Sequence, residues 1–230
     1  INSYDTDVFN ASVNTSYEIT PWLKAMGRAG ADVYNKREES RNAISANGAW
    51  DKKGYYSIYK NTNFSVNADA MLMADKTWGK FNVNGLLGGN IFYRHDDDML
   101  SKTQGGLSIP GYYSLNASSN PVSAASSLKQ KRVNSLYGKA SVSWNSTYYL
   151  DVTGRNDWAS TLPAGNNSYF YPGISFNWNF KDQIPIPQLQ FGKIRMAWAD
   201  AGRPASRYFA NNVFSLGQIA ETEASIVTPP

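Results

Sequence analysis

Residues 61–72, Asn61-Thr62-Asn63-Phe64-Ser65-Val66-Asn67-Ala68-Asp69-Ala70-Met71-Leu72, alternate in character almost without interruption. Thr62, Phe64, Val66, Ala68, Ala70 and Leu72 share one parity, and Asn61, Asn63, Ser65, Asn67, Asp69 and Met71 the other. Successive side chains of an extended chain point to opposite faces, so the segment predicts a strand with one apolar face and one amide-and-hydroxyl face. The same period of two runs outward in both directions. Upstream, Phe9, Ala11, Val13, Thr15, Tyr17 and Ile19 oppose Asn10, Ser12, Asn14, Ser16 and Glu18. Next, Leu23, Ala25, Gly27, Ala29, Ala31 and Val33 oppose Lys24, Met26, Arg28, Gly30, Asp32 and Tyr34. Downstream, Phe81, Val83, Gly85, Leu87, Gly89, Ile91 and Tyr93 oppose Lys80, Asn82, Asn84, Leu86, Gly88, Asn90, Phe92 and Arg94. Four further segments, 135–144, 147–155, 169–180 and 193–198, repeat the pattern with more noise. The chain therefore predicts eight strands. Several match or exceed the roughly 9–11 residues of a tilted bilayer-crossing strand, against about five or six in an ordinary globular one.

The connections add an independent signal. They fall at 20–22, 35–55, 75–78, 95–131, 145–147, 157–167 and 181–188, so short and long alternate up to the last. An up-and-down transmembrane barrel has this arrangement, with short periplasmic turns and long extracellular loops. Tyr17, Trp144, Tyr148, Trp178 and Phe180 then lie beside the short turns, and Phe9, Tyr93 and Phe170 near the opposite strand ends. Two aromatic belts bracketing aliphatic residues fit membrane interfaces; the alternative is that these rings fill the core of a soluble sandwich. Parity also predicts a three-residue turn, Asn145, Ser146 and Thr147. Trp144 then pairs with Tyr148, Ser141 with Asp151 and Lys139 with Thr153, and Lys139 becomes diagonal to Asp151 and Arg155.

Composition excludes several other classes. The 230 residues carry 22 Lys plus Arg and 18 Asp plus Glu, a net charge of +4. That is too mild for a nucleic-acid partner, and no run of five basic residues supports one. With no cysteine, there is no disulfide scaffold, thiolate zinc site or cysteine nucleophile. A single histidine, His95, leaves no histidine-based triad or metal site, so neither an enzyme nor a cofactor is expected. No apolar run approaches the roughly 18 residues of a membrane helix, and no secretory leader opens the sequence. The aromatic load is high: 7 Trp, 15 Tyr and 10 Phe in a chain of mean hydropathy −0.47. Polar overall and rich in Tyr and Trp, such a chain suits a membrane interface better than a compact soluble core.

Within a bilayer every backbone N–H and C=O must be paired inside the protein, so a spanning sheet has to close. The apolar face then meets lipid and the polar face lines a lumen. An eight-stranded barrel is filled by its own side chains. The small inward residues Gly30, Ser65, Gly88, Ser141 and Ser175 instead suggest a wider barrel of which this chain is a part.

At residues 134–172 the sequence NSLYGKASVSWNSTYYLDVTGRNDWASTLPAGNNSYFYP resembles the C-terminal half of the barrel in the SusC/RagA family of TonB-dependent outer-membrane transporters of Bacteroidota. FGKIRMAWADAG at 191–202 and RYFANNVFSLG at 207–217 continue the likeness in the family's order, whereas the first 130 residues fit by pattern alone. The resemblance implies an outer-membrane barrel of 22 strands, all β and antiparallel, with a plug domain inside it and nutrient import powered by TonB. It also implies a SusD-like surface lipoprotein as a lid, commonly in a dimer of transporter–lid pairs. Residues 1–230 would then be part of the barrel domain, the plug being absent from them, and TonB would act through that plug.

On this reading Lys139, Asp151, Arg155, Lys193 and Arg195, with Asp157 at a strand end, form an inward mixed-charge band. It either bonds the plug or stands as a solvated wall whose ion pairs contribute little. Tyr55, Tyr56, Tyr112, Tyr113 and Trp158 are mouth aromatics. They either stack on sugar rings or peptide side chains, or pack loops against one another and against the lid. His95-Asp96-Asp97-Asp98 opens a long loop. Its oxygens suit a divalent cation, but no EF-hand spacing accompanies them, so an acidic solvated tip is expected and no metal site is assigned. The expected function is import of oligosaccharides or peptides across the outer membrane without bond chemistry. The alternatives are a stand-alone small barrel with an adhesive or structural role and, behind it, a surface hydrolase using a carboxylate pair.

Overall fold

A computed structural model describes residues 2–44, 53–163, 165–181, 183–184, 190–202, 206, 215–218 and 225–228. Eight strands follow one another in the chain and lie in that same order in one antiparallel sheet. They are β1 (Asn2–Thr20), β2 (Leu23–Asn42), β3 (Tyr55–Trp78), β4 (Phe81–Leu107), β5 (Ser118–Trp144), β6 (Tyr148–Ala159), β7 (Ser168–Asn179) and β8 (Lys193–Ala199). Two short strands that periodicity does not predict, β9 (Ser215–Gln218) and β10 (Ser225–Thr228), form a separate antiparallel pair. Of the segments carrying the family resemblance, 207–214 lie outside the described residues, as do 182 and 185–188 of the last expected connection.

The predicted alternation sets the register. Trp144 pairs with Tyr148, Ser141 with Asp151 and Lys139 with Thr153. The turn itself holds Asn145 and Ser146 at φ of 54° and 55°, the left-handed region, closed by Thr147 N–H donating to the Trp144 carbonyl at 3.0 Å. β7 continues the rows: Asp151 pairs with Ser175, Leu150 with Phe176 and Val152 with Ile174. On β8, Arg195 faces Asn177 and Met196 faces Phe176. A one-residue slip would exchange the two faces wholesale, which is why the apolar rows fix the pairing.

Several expected connections prove to be strand. β2 runs to Asn42 rather than ending before residue 35, β3 continues through Trp78 to a turn at Gly79 (φ 58°), and β6 reaches Ala159. The largest correction concerns 95–131, where β4 extends to Leu107 and β5 begins at Ser118. Only residues 108–117 connect them, through a short 3-10 turn at Leu115–Ala117 capped by Ser114. His95-Asp96-Asp97-Asp98 is therefore mid-strand and not a loop tip. Alternation separates His95 and Asp97 from Asp96 and Asp98.

The chain divides into two compact units. Unit 1 comprises Ile1–Ser12, Gly30–Val66 and Tyr93–Gln130, and unit 2 comprises Val13–Ala29, Asn67–Phe92 and Lys131–Pro230. Unit 1 has a small apolar cluster in which Tyr56, Leu107 and Ala117 are buried against Ile58, Tyr113 and Leu115. Gly105 and Gly106, just before Leu107, take φ of 67° and 84°, in the left-handed region. Among the described residues of unit 2 Met71, Val133 and Ala159 are buried, whereas one face of its sheet stays open, with Leu150 42%, Val152 46%, Ile174 47% and Met196 60% exposed.

Candidate functional site

The polar face of unit 2 is built from the residues that alternate with those exposed apolar ones. Asp69 of β3 is its most enclosed carboxylate, its side chain 6% exposed. It accepts a hydrogen bond from Arg28 Nε at 2.9 Å and another from the Tyr137 hydroxyl at 3.0 Å. Tyr137 reaches it from β5 by lying across Gly88 of β4: a Cβ on Gly88 would come within 2.7 Å of Tyr137 Cζ. The same ring carries the Arg155 guanidinium 5.6 Å from its centroid. Arg155 also donates to Asp157 at 2.7 Å and to Ser135 Oγ at 2.8 Å.

A second cluster centres on Asp151. It accepts from Ser141 Oγ on one side and from Ser175 Oγ at 3.2 Å on the other, its two register partners. Lys139 Nζ lies 3.4 Å from it, the diagonal contact expected from the pairing. The register also sets Lys139 diagonal to Arg155, whose like charge turns instead to Asp157 and Ser135. Arg195 donates to Asn177 Oδ1 at 2.8 Å, and Lys193 pairs in register with Asn179. The structure thus joins Lys139 to Asp151 and Arg155 to Asp157, with Lys193 and Arg195 on the same polar face of β8. The Arg28–Asp69–Tyr137 link is the part that sequence reading did not single out.

The polar face of unit 1 has its own network. Asn63 Nδ2 donates to Asp96, which also accepts from Arg94 Nε at 3.1 Å. The Tyr59 hydroxyl donates to Asp98 at 2.5 Å, Asn61 donates at 2.8 Å, and Lys129 Nζ lies at 4.0 Å. Tyr34, Lys36, Tyr59, Asn61, Asn63, Arg94 and Asp96 line a pocket of about 390 Å³. The Tyr59 hydrogen bond holds the Asp98 carboxyl below the usual carboxylate range, and the same bond raises the Tyr59 phenol to about 12. On the other face Glu39 accepts from Arg41 at 2.6 Å and from Arg37 at 2.5 Å, and its carboxyl is lowered first by Arg41. Burial, then a hydrogen bond with Glu39, raises the Tyr56 phenol.

Four of the five expected mouth aromatics lie in unit 1 and one in unit 2. Tyr56, 5% exposed, and Tyr113 belong to the apolar cluster of unit 1, Tyr55 opens β3, and Tyr112 stands 54% exposed in the 108–117 connection. Trp158 belongs to unit 2, on the β6 face shared by Leu150 and Val152, and pairs in register with Asn134 and Ser168.

No family model and no curated protein matches the chain. Solved structures do. The chain is similar over its whole length to the RagAB peptide transporter, with a TM-score of 0.86 at 14% identity. It is similar to the RagAB peptide importer in its closed-closed state (0.81, 14%, the whole chain) and in its open-open state (0.78, 16%, 99% of the chain). The chain spans about a quarter (26%) of the length of each of these. At such identity the likeness is one of fold: the eight-stranded antiparallel sheet matches a segment of those structures.

Proposed function

We propose that this chain is a wall segment of an outer-membrane β-barrel importer of the SusC/RagA kind, carrying peptides or oligosaccharides. The observation that carries the reading is the chemistry of the two faces of unit 2. Leu150, Val152, Ile174 and Met196 are open on one side, and Asp69, Ser141, Asp151 and Asn177 are hydrogen-bonded on the other. An apolar face of that extent is costly in water and natural against hydrocarbon. The fold shared with the peptide-carrying RagAB structures supports peptide as the cargo. On β3 and β4 the outer positions Lys60, Thr62, His95 and Asp97 are polar, which suits strand ends lying beyond hydrocarbon. Energy from TonB through a plug, a SusD-like lipoprotein lid, and pairing of such complexes belong to the same proposal.

Site-directed labelling tests the barrel. Single cysteines at Val142 and Ser141 in the complete transporter, reconstituted in vesicles, are expected to part company. Val142→Cys should be quenched by a nitroxide carried on lipid chains, and Ser141→Cys should react with a water-soluble maleimide. Equal behaviour at the two neighbours would sink the assignment of faces. Loss of labelled-peptide uptake on deleting the gene, restored by the wild-type copy, tests transport separately.

A further inference from the structure

The short-turn ends of the strands in unit 2 carry a row of rings on the apolar face. Phe81 and Trp144 lie 6.4 Å apart between centroids, Trp144 and Tyr148 5.7 Å, Tyr148 and Trp178 6.2 Å, and Trp178 and Phe180 5.5 Å. Most of this row is self-contained, since the Tyr148 hydroxyl and Trp178 Nε1 both donate to Gln183 Oε1, at 3.1 and 2.8 Å. One site differs. Lys76, two residues before the end of β3, holds its Nζ 5.4 Å from the Trp22 ring centroid and 5.4 Å from that of Trp78. Trp22 comes from the β1–β2 turn and Trp78 closes β3, so two separate hairpin ends converge on one ammonium group.

Two ring faces hold a cation in place by their quadrupoles and leave its N–H groups free to donate. Among the described residues no carboxylate lies within ion-pair distance of Lys76. Its neighbour Asp75 has the opposite parity and accepts from Asn82 Nδ2 at 2.9 Å. The indole N–H groups of Trp22 and Trp78, unlike that of Trp178, have no acceptor among the described residues. The three side chains therefore offer only donors and one unpaired positive charge, at the margin of an apolar face. A ligand that complements them supplies anionic oxygens with more than one lone pair and has an apolar body to lie along the sheet.

We propose that Lys76, Trp22 and Trp78 bind the phosphodiester of a phospholipid, whose acyl chains run over the apolar face. The inference rests on the membrane-barrel reading above and adds to it a defined lipid site. Lysine and tryptophan are the residues that combine an apolar body with a polar tip at a membrane surface.

The test uses the complete transporter, extracted in mild detergent, delipidated and titrated with phosphatidylglycerol under native mass spectrometry. Wild type and Lys76→Arg are expected to retain one more tightly held lipid than Lys76→Gln, with affinity falling about fivefold on loss of the charge. Trp22→Leu should weaken retention in the same direction. Equal retention by wild type and Lys76→Gln overturns the site. So does displacement of the lipid by inorganic phosphate alone, which would make free phosphate the ligand. Flotation with vesicles distinguishes the two levels of failure. A protein that floats but shows no Lys76 effect removes only the lipid site, whereas one that does not float removes the barrel reading itself.

Discussion

Replacing Gly88 by alanine tests whether the inward polar network depends on a ring lying flat across a strand. Tyr137 crosses β4 at Gly88 to reach Asp69, and a Cβ there would meet Cζ at 2.7 Å and Cε2 and the hydroxyl oxygen at 2.8 Å. Ordinary contact begins at 3.4 Å, so the ring must rise by about 0.7 Å. That lift takes the Tyr137–Asp69 hydrogen bond from 3.0 Å toward or past the limit of a useful one. A hydrogen bond to a charged group contributes roughly 1.5–3 kcal/mol, and removing glycine from a strand returns roughly 0.5–1 kcal/mol. Gly88→Ala is therefore expected to cost about 0.5–2.5 kcal/mol. Urea unfolding of the complete barrel in vesicles would read this, with the folded fraction scored by its resistance to SDS without heating. In a Tyr137→Ala background the steric conflict is gone, and the same change should be neutral or slightly stabilising. An equal cost in both backgrounds would refute the reasoning, since the loss would then owe nothing to Tyr137.

Two further outcomes follow from particular residues. Ser146 sits at φ 55° in the β5–β6 turn, a conformation that costs a non-glycine residue roughly 1 kcal/mol, so Ser146→Gly should raise the unfolding midpoint in the same assay. The Tyr59–Asp98 pair gives a plateau of stability with two edges. Asp98 is lowered, so its contribution is present above the ordinary value of about 4 and is lost as pH falls through the lowered one. Tyr59 is raised, so its contribution is present below about 10 and is lost as pH rises toward the folded value of about 12. Hydrogen exchange of residues 95–100 should show both edges, and Tyr59→Phe should abolish the alkaline one there. An unchanged alkaline edge in that variant would assign it to another group.

On the proposed barrel reading, the sequence is legible where hydrocarbon is the environment and illegible where it is not, and β4 contains both conditions. From Phe81 to Tyr93 one face must be apolar, so parity is written into the residue types and the strand can be read directly. From His95 to Leu107 neither face meets hydrocarbon. His95-Asp96-Asp97-Asp98 is polar at every position, and nothing in composition separates it from a loop. The strand persists there because its polar side chains are bonded to neighbours: Asp96 to Asn63 and Arg94, Asp98 to Tyr59 and Asn61, and the Tyr56 amide to Thr103 Oγ1 at 3.1 Å. The same distinction governs the site. Lys139 with Asp151 follows from a register that apolar neighbours impose, so the pair is readable. Asp69 with Arg28 and Tyr137 spans four strands and depends on a missing Cβ at Gly88, a tertiary coincidence that no local pattern encodes. On that reading the His95–Leu107 stretch is held by side-chain partners rather than by lipid. Its integrity should follow pH and single polar substitutions, whereas the Phe81–Tyr93 stretch should follow the thickness of the surrounding bilayer.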